Sequence, residues 1–435
     1  METEELYKRF LECEGFTTDS RKCAPGLMFL ALKGERFNGN DYVLQALEAG
    51  CRYAVTDEPF RAGFDDPRIL AVDNVLTAMQ KMALLHRHTV GLPVIGITGT
   101  NGKTTTKELV SAVLSKKYNL LFTQGNLNNS IGVPMTVLGI RPEHQLAVIE
   151  MGASHPGDIR ELVGVCDPDF GLITNVGMAH LQGFGSFEGV MRTKGELYDH
   201  IRAKHGRIFL NSGNPHLAGM ADGINSFTYS QMGDADIIGG VIGCDPMLCF
   251  WWQRRGGVRH EVRMNMTGSY NADNALAAAA VGCWFGVPEE QICEALSGYK
   301  PSNNRSQITD TGRNRLVVDA YNANPTSMNA ALDNFRIMTA DSKMLILGDM
   351  RELGEHSTAE HAGIVARLKD EGYGNVLLVG AEFTKAASAG IPAGWHCFDD
   401  VERLSEWLQT EQPSGHTILI KGSNSIGLTR AVGLL

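Results

Sequence analysis

Apolar positions along the chain follow two rhythms. Short apolar runs at Leu27–Leu32, Tyr53–Thr56 and Ile69–Val72 alternate with helical stretches such as Tyr42–Ala49 and Leu76–His86. Gly91-Leu92-Pro93 then breaks the pattern as a linker would. From there the strands read as buried runs: Val94–Thr98, Leu146–Glu150, Phe170–Asn175 and Arg207–Asn211. A helix predicted from about Thr104 to Ser115 places Leu109, Val110, Val113 and Leu114 on one face. This β-α-β rhythm predicts a parallel sheet covered on both faces. Between Gly239 and Met266 short polar-alternating strands predict an antiparallel edge, and the alanine-rich helix Asn274–Phe285 ends the region. Pro301-Ser-Asn-Asn reads as a second linker. Beyond it, strands at Leu316–Ala320, Met344–Leu347, Val376–Val379 and Thr417–Ile420, each followed by a helical pattern, predict a smaller Rossmann-like sheet. The expected fold is α/β in three domains: residues 1–91, 92–300 and 301–435.

Composition narrows this picture little. With 435 residues the chain exceeds one compact core, and 43% hydrophobic with 20% charged residues is ordinary for a globular protein. The net charge of −10 argues against a broad nucleic-acid surface. Nine cysteines stand singly with no C-x-x-C, the pattern of reduced thiols in a cytosol. METEELYKRF is mixed-charge and amphipathic, unlike a signal peptide, and the longest apolar run, Ala275–Val287, is too short to cross a bilayer. A cytoplasmic protein without membrane insertion is expected.

The chemistry concentrates in GITGTNGKTTTKEL, Gly96–Leu109. A strand entering a glycine-rich turn and then a helix aims backbone N–H groups at an anion. The spacing is irregular: six residues before Lys103 stands Ile97, with glycines at 96, 99 and 102. Lys103 is expected on the β and γ phosphates and Thr104 on Mg²⁺. Glu150 closes a buried strand in AVIEMGAS; alone it is as readily solvated or salt-bridged, but beside a phosphate loop it suits a hard cation. His180, in NVGMAHLQGFGS, follows a strand in a glycine-rich loop. Lys194, in RTKGEL, has the spacing of an ordinary helix-surface lysine.

GTNGKT, IEMGAS, NVGMAHLQGFGS and RTKGEL, in this order, resemble the Mur ligases of peptidoglycan synthesis, and the resemblance covers essentially the whole chain. It implies a small N-terminal α/β domain that binds the UDP-muramoyl substrate, a central P-loop parallel-sheet ATPase domain and a C-terminal Rossmann-like ligase domain. It implies that Gly99, Thr100, Asn101, Gly102, Lys103, Thr104 and Thr105 hold ATP. Asn271 and Asn274, in YNADNALAA, then lie near the adenine, although helix capping also explains Asn271; Tyr270 replaces a histidine of some relatives. Asp319 would take the ribose hydroxyls and Arg305 the γ-phosphate. Mg²⁺ would sit on Thr104, Glu150 and His180, with Lys194 matching a lysine carbamylated in the family. Ser20 and Arg21 would contact the uridine diphosphate, Asn126, Asn128 and Asn129 the muramoyl peptide, and Asp349, Lys421 and Ser423 the incoming dipeptide or peptide tail. Two stretches depart from the family pattern: Asn38-Gly-Asn40, where Asp-Gly-His is common, and Asn424 after KGS, where arginine is common.

TQGNLNNSIGVP, DAYNANPTSM and LGDMRELGEHS look like those of the member that adds D-alanyl-D-alanine to UDP-N-acetylmuramoyl-tripeptide. The implied reaction passes through an acyl phosphate, in a monomer. Two alternatives stay open. One is the preceding ligase, which adds the third residue and carries an Asp-Asn-Pro-Arg motif absent here in its diaminopimelate-using form. The other is a nucleotide-gated binding protein that does not ligate.

Overall fold

The computed structural model describes residues 1–61, 63–179, 181–301 and 305–435. The chain forms two compact units. The first comprises Met1–Ile97, Tyr118–Gly152 and Gly157–Gly171; the second comprises Thr98–Lys117, Ala153–Pro156 and Leu172–Leu435.

In the first unit, Gly15–Thr17, Leu27–Leu30, Tyr53–Thr56 and Ile69–Ala71 lie side by side in sequence order, all parallel. Phe29, Ala31 and Ala54 pack there with Val43, Ala46 and Leu47 of helix Val43–Glu48. Helix Val75–Val90 opens on Asn74, whose side chain accepts from Thr77 N, and stops at Gly91 in the left-handed conformation, φ 70°. The predicted linker is thus a helix stop that only glycine adopts cheaply. The strand Val94–Thr98 follows, and Leu146–Glu150 pairs parallel to it with Ile97 opposite Glu150. Leu120–Phe122 pairs on the far side of Leu146–Glu150.

In the second unit, Arg207–Asn211, Asn225–Ser230 and Ile237–Cys244 are parallel neighbours. Leu248–Arg254 and Arg259–Arg263 continue that order antiparallel, as the alternation between Gly239 and Met266 predicts. Asn225–Ser230 (NSFTYS) is too polar to have been read as a strand. The alanine-rich helix runs Asn271–Trp284, and a further helix, Glu289–Gly298, follows it.

The C-terminal sheet has six strands in the order Gln307–Asp310, Arg315–Asp319, Thr417–Lys421, Lys343–Gly348, Asn375–Val379 and Trp395–Phe398. All are parallel except the antiparallel edge strand Gln307–Asp310. Alternation within Lys343–Gly348 builds two cores: Leu345 and Leu347 join one with Leu332 and Phe335, while Met344 and Ile346 join another with Leu404 and Leu408. Burial on both faces explains why these strands read as continuous apolar runs. No helix among the described residues is long and apolar enough to cross a membrane.

Candidate active site

The glycine loop is shaped by steric necessity. Gly99 has φ 145°, and a Cβ there would lie 2.0 Å from Thr174 Oγ1. Gly102, the N-cap of helix Lys103–Leu114, has φ 77°, and its Cβ would lie 2.6 Å from Asn274 Oδ1. The loop is pinned to the end of strand Phe170–Ile173 and the residues after it. Thr100 N donates to Asn175 O and Asn101 N to Asn175 Oδ1, each at 2.9 Å. Asn101 O accepts from Thr174 Oγ1 at 2.6 Å and from Asn175 Nδ2 at 3.0 Å. Gly177 N donates to Thr100 Oγ1 at 3.0 Å. Lys103 arches over the turn, its Nζ donating to Gly99 O at 2.8 Å and Thr100 O at 3.0 Å. Thr104 and Thr105 are buried in the first helical turn. The result is a rigid turn with its lysine poised across it, at the N-terminus of a 12-residue helix.

From this helix a hydrogen-bond relay reaches the C-terminal sheet. Thr106 Oγ1 donates to Asn274 Oδ1 at 3.0 Å, and Asn274 Nδ2 to Asn271 Oδ1 at 2.9 Å. Asn271 Nδ2 donates to Thr267 O at 2.7 Å and to Ser306 Oγ at 3.1 Å. Asn271 is the first helical residue rather than a cap. Ser306 N donates to Asp319 Oδ1 at 3.4 Å, and Lys421 Nζ to Asp319 Oδ2 at 2.6 Å. Tyr270, whose hydroxyl lies 3.0 Å from Ser306 Oγ, has its pKa raised by burial and then by Asp319. A second link is direct: Asn324 Nδ2 donates to Asn101 Oδ1 at 2.8 Å. Asn324 also caps helix Pro325–Ile337 through Ser327 N, which fixes its side chain.

Four further expected residues lie in this unit. Arg305 stacks its guanidinium over the Tyr321 ring, Cζ 3.8 Å from the centroid. Lys194 is buried in helix Phe187–Ala203; its Nζ donates to Ala153 O at 3.5 Å and lies 5.4 Å from the Phe184 ring centroid. Ser423 Oγ accepts from Arg351 N at 2.9 Å. Asp349 is fully buried, and its carboxylate accepts from Glu382 N at 3.1 Å and Phe383 N at 2.9 Å. His180 lies outside the described residues.

The remaining expected residues belong to the first unit. Glu150 is buried and accepts from Asn128 Nδ2 at 2.8 Å. Asn129 Oδ1 accepts from Ile131 N and Gly132 N, starting helix Gly132–Leu138, and Asn126 is exposed. Arg21 grips Asp19 through two donors at 2.9 and 2.8 Å, which holds the Asp19 carboxyl down at about 2. Beside it, Ser20 opens a short 3₁₀ turn. Asn40 is buried, donating to Asn38 Oδ1 and Asp57 Oδ1 at 2.9 Å and accepting from Thr56 Oγ1 at 2.5 Å. The Asn-Gly-Asn departure thus forms a closed amide–hydroxyl–carboxylate cluster. Asn424 is exposed.

Thr174, Asn175, Ser306, Tyr321 and Asn324 had no assigned role. Four of them stand in the motifs that carry the resemblance or directly beside them, but their partners lie far away in sequence, beyond the reach of local patterns.

A glycine loop of phosphate-binding type, hydrogen-bonded to elements of a separate Rossmann-like domain, fits the class of P-loop ligases. Family models match in three successive pieces: "Mur ligase family, catalytic domain" over 12–87, "Mur ligase middle domain" over 97–282 and "Mur ligase, glutamate ligase domain" over 304–424. The chain belongs to the Mur ligase family. It is 34% identical to the UDP-N-acetylmuramoyl-tripeptide--D-alanyl-D-alanine ligase of Escherichia coli (strain K12), over 99% of this chain and 95% of that one. Identity to the Bacillus subtilis (strain 168) protein of the same name is 37%, over 80% and 76% of the two chains. Among solved structures, MurF from Acinetobacter baumannii superposes with a TM-score of 0.88 at 30% identity, covering 99% of this chain and 97% of that one. MurF ligase from Thermotoga maritima in complex with ADP gives 0.86 at 25% identity, covering 98% and 97%.

Proposed function

We propose that the chain is an ATP-dependent ligase joining D-alanyl-D-alanine to UDP-N-acetylmuramoyl-tripeptide, as a monomer in cytoplasmic peptidoglycan precursor synthesis. The observation that carries this reading is end-to-end likeness to ligases of that name in a chain whose glycine loop is bonded, through Asn101, to Asn324 at the cap of helix Pro325–Ile337. Residues 1–91 would take the UDP-muramoyl end, 92–300 ATP and 301–435 the dipeptide.

A carboxylate acylates poorly because its leaving group is oxide; phosphorylation supplies a better one. The tripeptide carboxylate attacks the γ-phosphorus, its new O–P bond forming as the bond to ADP breaks. The dipeptide amine then attacks the acyl phosphate, expels phosphate and loses a proton. Two anions must meet first, so catalysis rests on neutralising and aligning charge.

The loop amides of Gly99–Thr105 and the Lys103 ammonium would bind the phosphates. Asn271 and Asn274 would pair with adenine edges, Asp319 with the ribose and Arg305 with the γ-phosphate. Lys103, Glu150, His180, Lys194 and Arg305 form the catalytic set. The hydroxyl of Thr104 and the buried carboxylate of Glu150 are hard oxygen donors that fit Mg²⁺. They would hold it together with His180 and a carbamylated Lys194. Such a cation supplies charge neutralisation when bound. Carbamylation would turn the buried Lys194 ammonium into an anion able to face that cation. Ser20 and Arg21 would contact the diphosphate, and Asn126, Asn128 and Asn129 the muramoyl peptide. Lys421 and Ser423 would face the dipeptide, with the buried Asp349 shaping the loop that carries Ser423.

The test is phosphate release with ATP and UDP-N-acetylmuramoyl-tripeptide, comparing D-alanyl-D-alanine with single amino acids. Release dependent on the dipeptide is expected. Release requiring a free diamino acid and the dipeptide-bearing precursor would move the chain to the preceding ligase step.

A further inference from the structure

We propose that Tyr321 is a positioning residue that presets the Arg305 guanidinium for the transferring phosphoryl group. The inference rests on the reading of Arg305 as a γ-phosphate contact. The Arg305 Nε is buried without a hydrogen-bond partner among the described residues, and the guanidinium stacks on the Tyr321 ring 3.8 Å from Cζ to centroid. A carboxylate in the ring's place would occupy two of the in-plane donors and cancel the charge. An aromatic face orients the planar cation while leaving its edge donors and its charge available.

Both halves of the stack are anchored to one carboxylate. Ser306, the neighbour of Arg305, donates its backbone N–H to Asp319 Oδ1 at 3.4 Å. Asp319 ends strand Arg315–Asp319, two residues before Tyr321, and its other oxygen accepts from Lys421 Nζ at 2.6 Å. The strand end, pinned by the lysine, therefore fixes both the cation and the ring beneath it. That is the preorganisation a charge-stabilising group requires.

The attraction belongs to the ring face and not to the hydroxyl. Removing the ring should therefore misplace a charge felt chiefly in the transition state. Tyr321→Leu is expected to lower kcat on the order of tenfold, while KM for ATP moves less than about threefold. Tyr321→Phe should recover most of the loss. In an Arg305→Ala background, Tyr321→Leu should add less than about twofold, because the group it positions is gone. The assay is steady-state phosphate release by the full chain with ATP, UDP-N-acetylmuramoyl-tripeptide and D-alanyl-D-alanine, with thermal unfolding checked for each variant. If Tyr321→Leu does not fold, Tyr321→Met takes its place in the same comparisons. A ring-less variant with unaltered kcat, a Phe variant as impaired as the Leu one, or full multiplicative losses with Arg305→Ala would each overturn the proposal. Unaltered turnover in Arg305→Ala alone would instead refute the γ-phosphate reading on which it stands.

Discussion

Gly102→Ala tests the loop geometry most directly. Its φ of 77° is left-handed, a conformation costing an L-residue about 1–2 kcal/mol. The added methyl would also lie 2.6 Å from Asn274 Oδ1 and 3.1 Å from Nδ2, so the amide must move. That amide is buried and tied to Thr106 and Asn271 at 3.0 and 2.9 Å. Losing both bonds costs about 2 kcal/mol at roughly 1 kcal/mol each. The sum is about 3–4 kcal/mol, which is about 6 °C or more of thermal midpoint for a domain of this size. On the proposed roles ATP affinity should fall as well, since the displaced Asn274 amide is the one placed at the adenine and Gly102 lies in the loop placed around the phosphates. The assay pairs calorimetry with the KM for ATP in Gly102→Ala, Asn274→Ala and the double variant. Asn274→Ala removes the obstacle and the bonds together, so the double should fall short of additivity by about 1 kcal/mol or more. An unchanged midpoint and KM in Gly102→Ala would refute the steric argument; strict additivity would refute the role given to Asn274. Gly125, with φ 55° and nothing within 4 Å of where a methyl would stand, carries the strain term alone and serves as the control.

Lys103→Ala should abolish phosphate release while leaving binding of the UDP substrate within a few-fold, measured by calorimetric titration; loss of both would contradict the division of binding between residues 1–91 and 92–300. Burial holds the His86 imidazole below its ordinary value, with Tyr7 OH 3.0 Å from Nδ1 and Ile140 O 2.9 Å from Nε2. The unfolded chain therefore binds a proton that the native one declines once pH drops below about 6.5, and stability falls with pH in that window. Urea midpoints from pH 7.5 to 5.5 should slope less in His86→Gln than in the parent, and equal slopes would remove His86 as the cause. Asn101→Ala and Asn324→Ala should each weaken turnover, and a double-mutant cycle should return a coupling of about 1 kcal/mol; zero coupling would mean that the 2.8 Å amide contact is incidental.

What could be read in advance depended on how local its cause was. Strands Leu146–Glu150 and Arg207–Asn211 were legible to the residue because continuous burial leaves a continuous apolar run. Asn225–Ser230 and Trp395–Phe398 were not, since NSFTYS and WHCF mix polar with apolar side chains on partly exposed strands. The alanine-rich helix starts at Asn271, three residues before the apolar run suggested, because its first turn carries two buried amides, Asn271 bonded to Thr267 and Ser306 and Asn274 to Asn271 and Thr106. The glycine loop was legible as a turn between strand and helix because its glycines, lysine and threonines stand together within Gly96–Leu109. Its supports were not: Asn175 and Thr174 lie 74 and 73 residues from the Asn101 carbonyl they hold, and Asn324 lies 223 from Asn101. Spacing rules do not reach so far.

These supports differ in strength in a way that bears on catalysis. From Thr106 through Asn274 and Asn271 to Ser306, each side-chain link is a neutral amide or hydroxyl contact, as is Asn101–Asn324. Each contributes about 1 kcal/mol, because water replaces what separation removes. The Asp319–Lys421 pair at 2.6 Å is different: Lys421 is only 1% exposed, and parting it would strand a buried charge at a cost of several kcal/mol. Any separation of the glycine loop from the C-terminal sheet therefore releases the neutral contacts first. Asp319, Lys421 and the adjoining Tyr321 leave as one piece. The proposed reaction, which would have to exclude water from an acyl phosphate and afterwards discharge ADP, would be served by this distribution: weak, numerous links that part at little cost, and a charge-locked strand end that keeps its alignment.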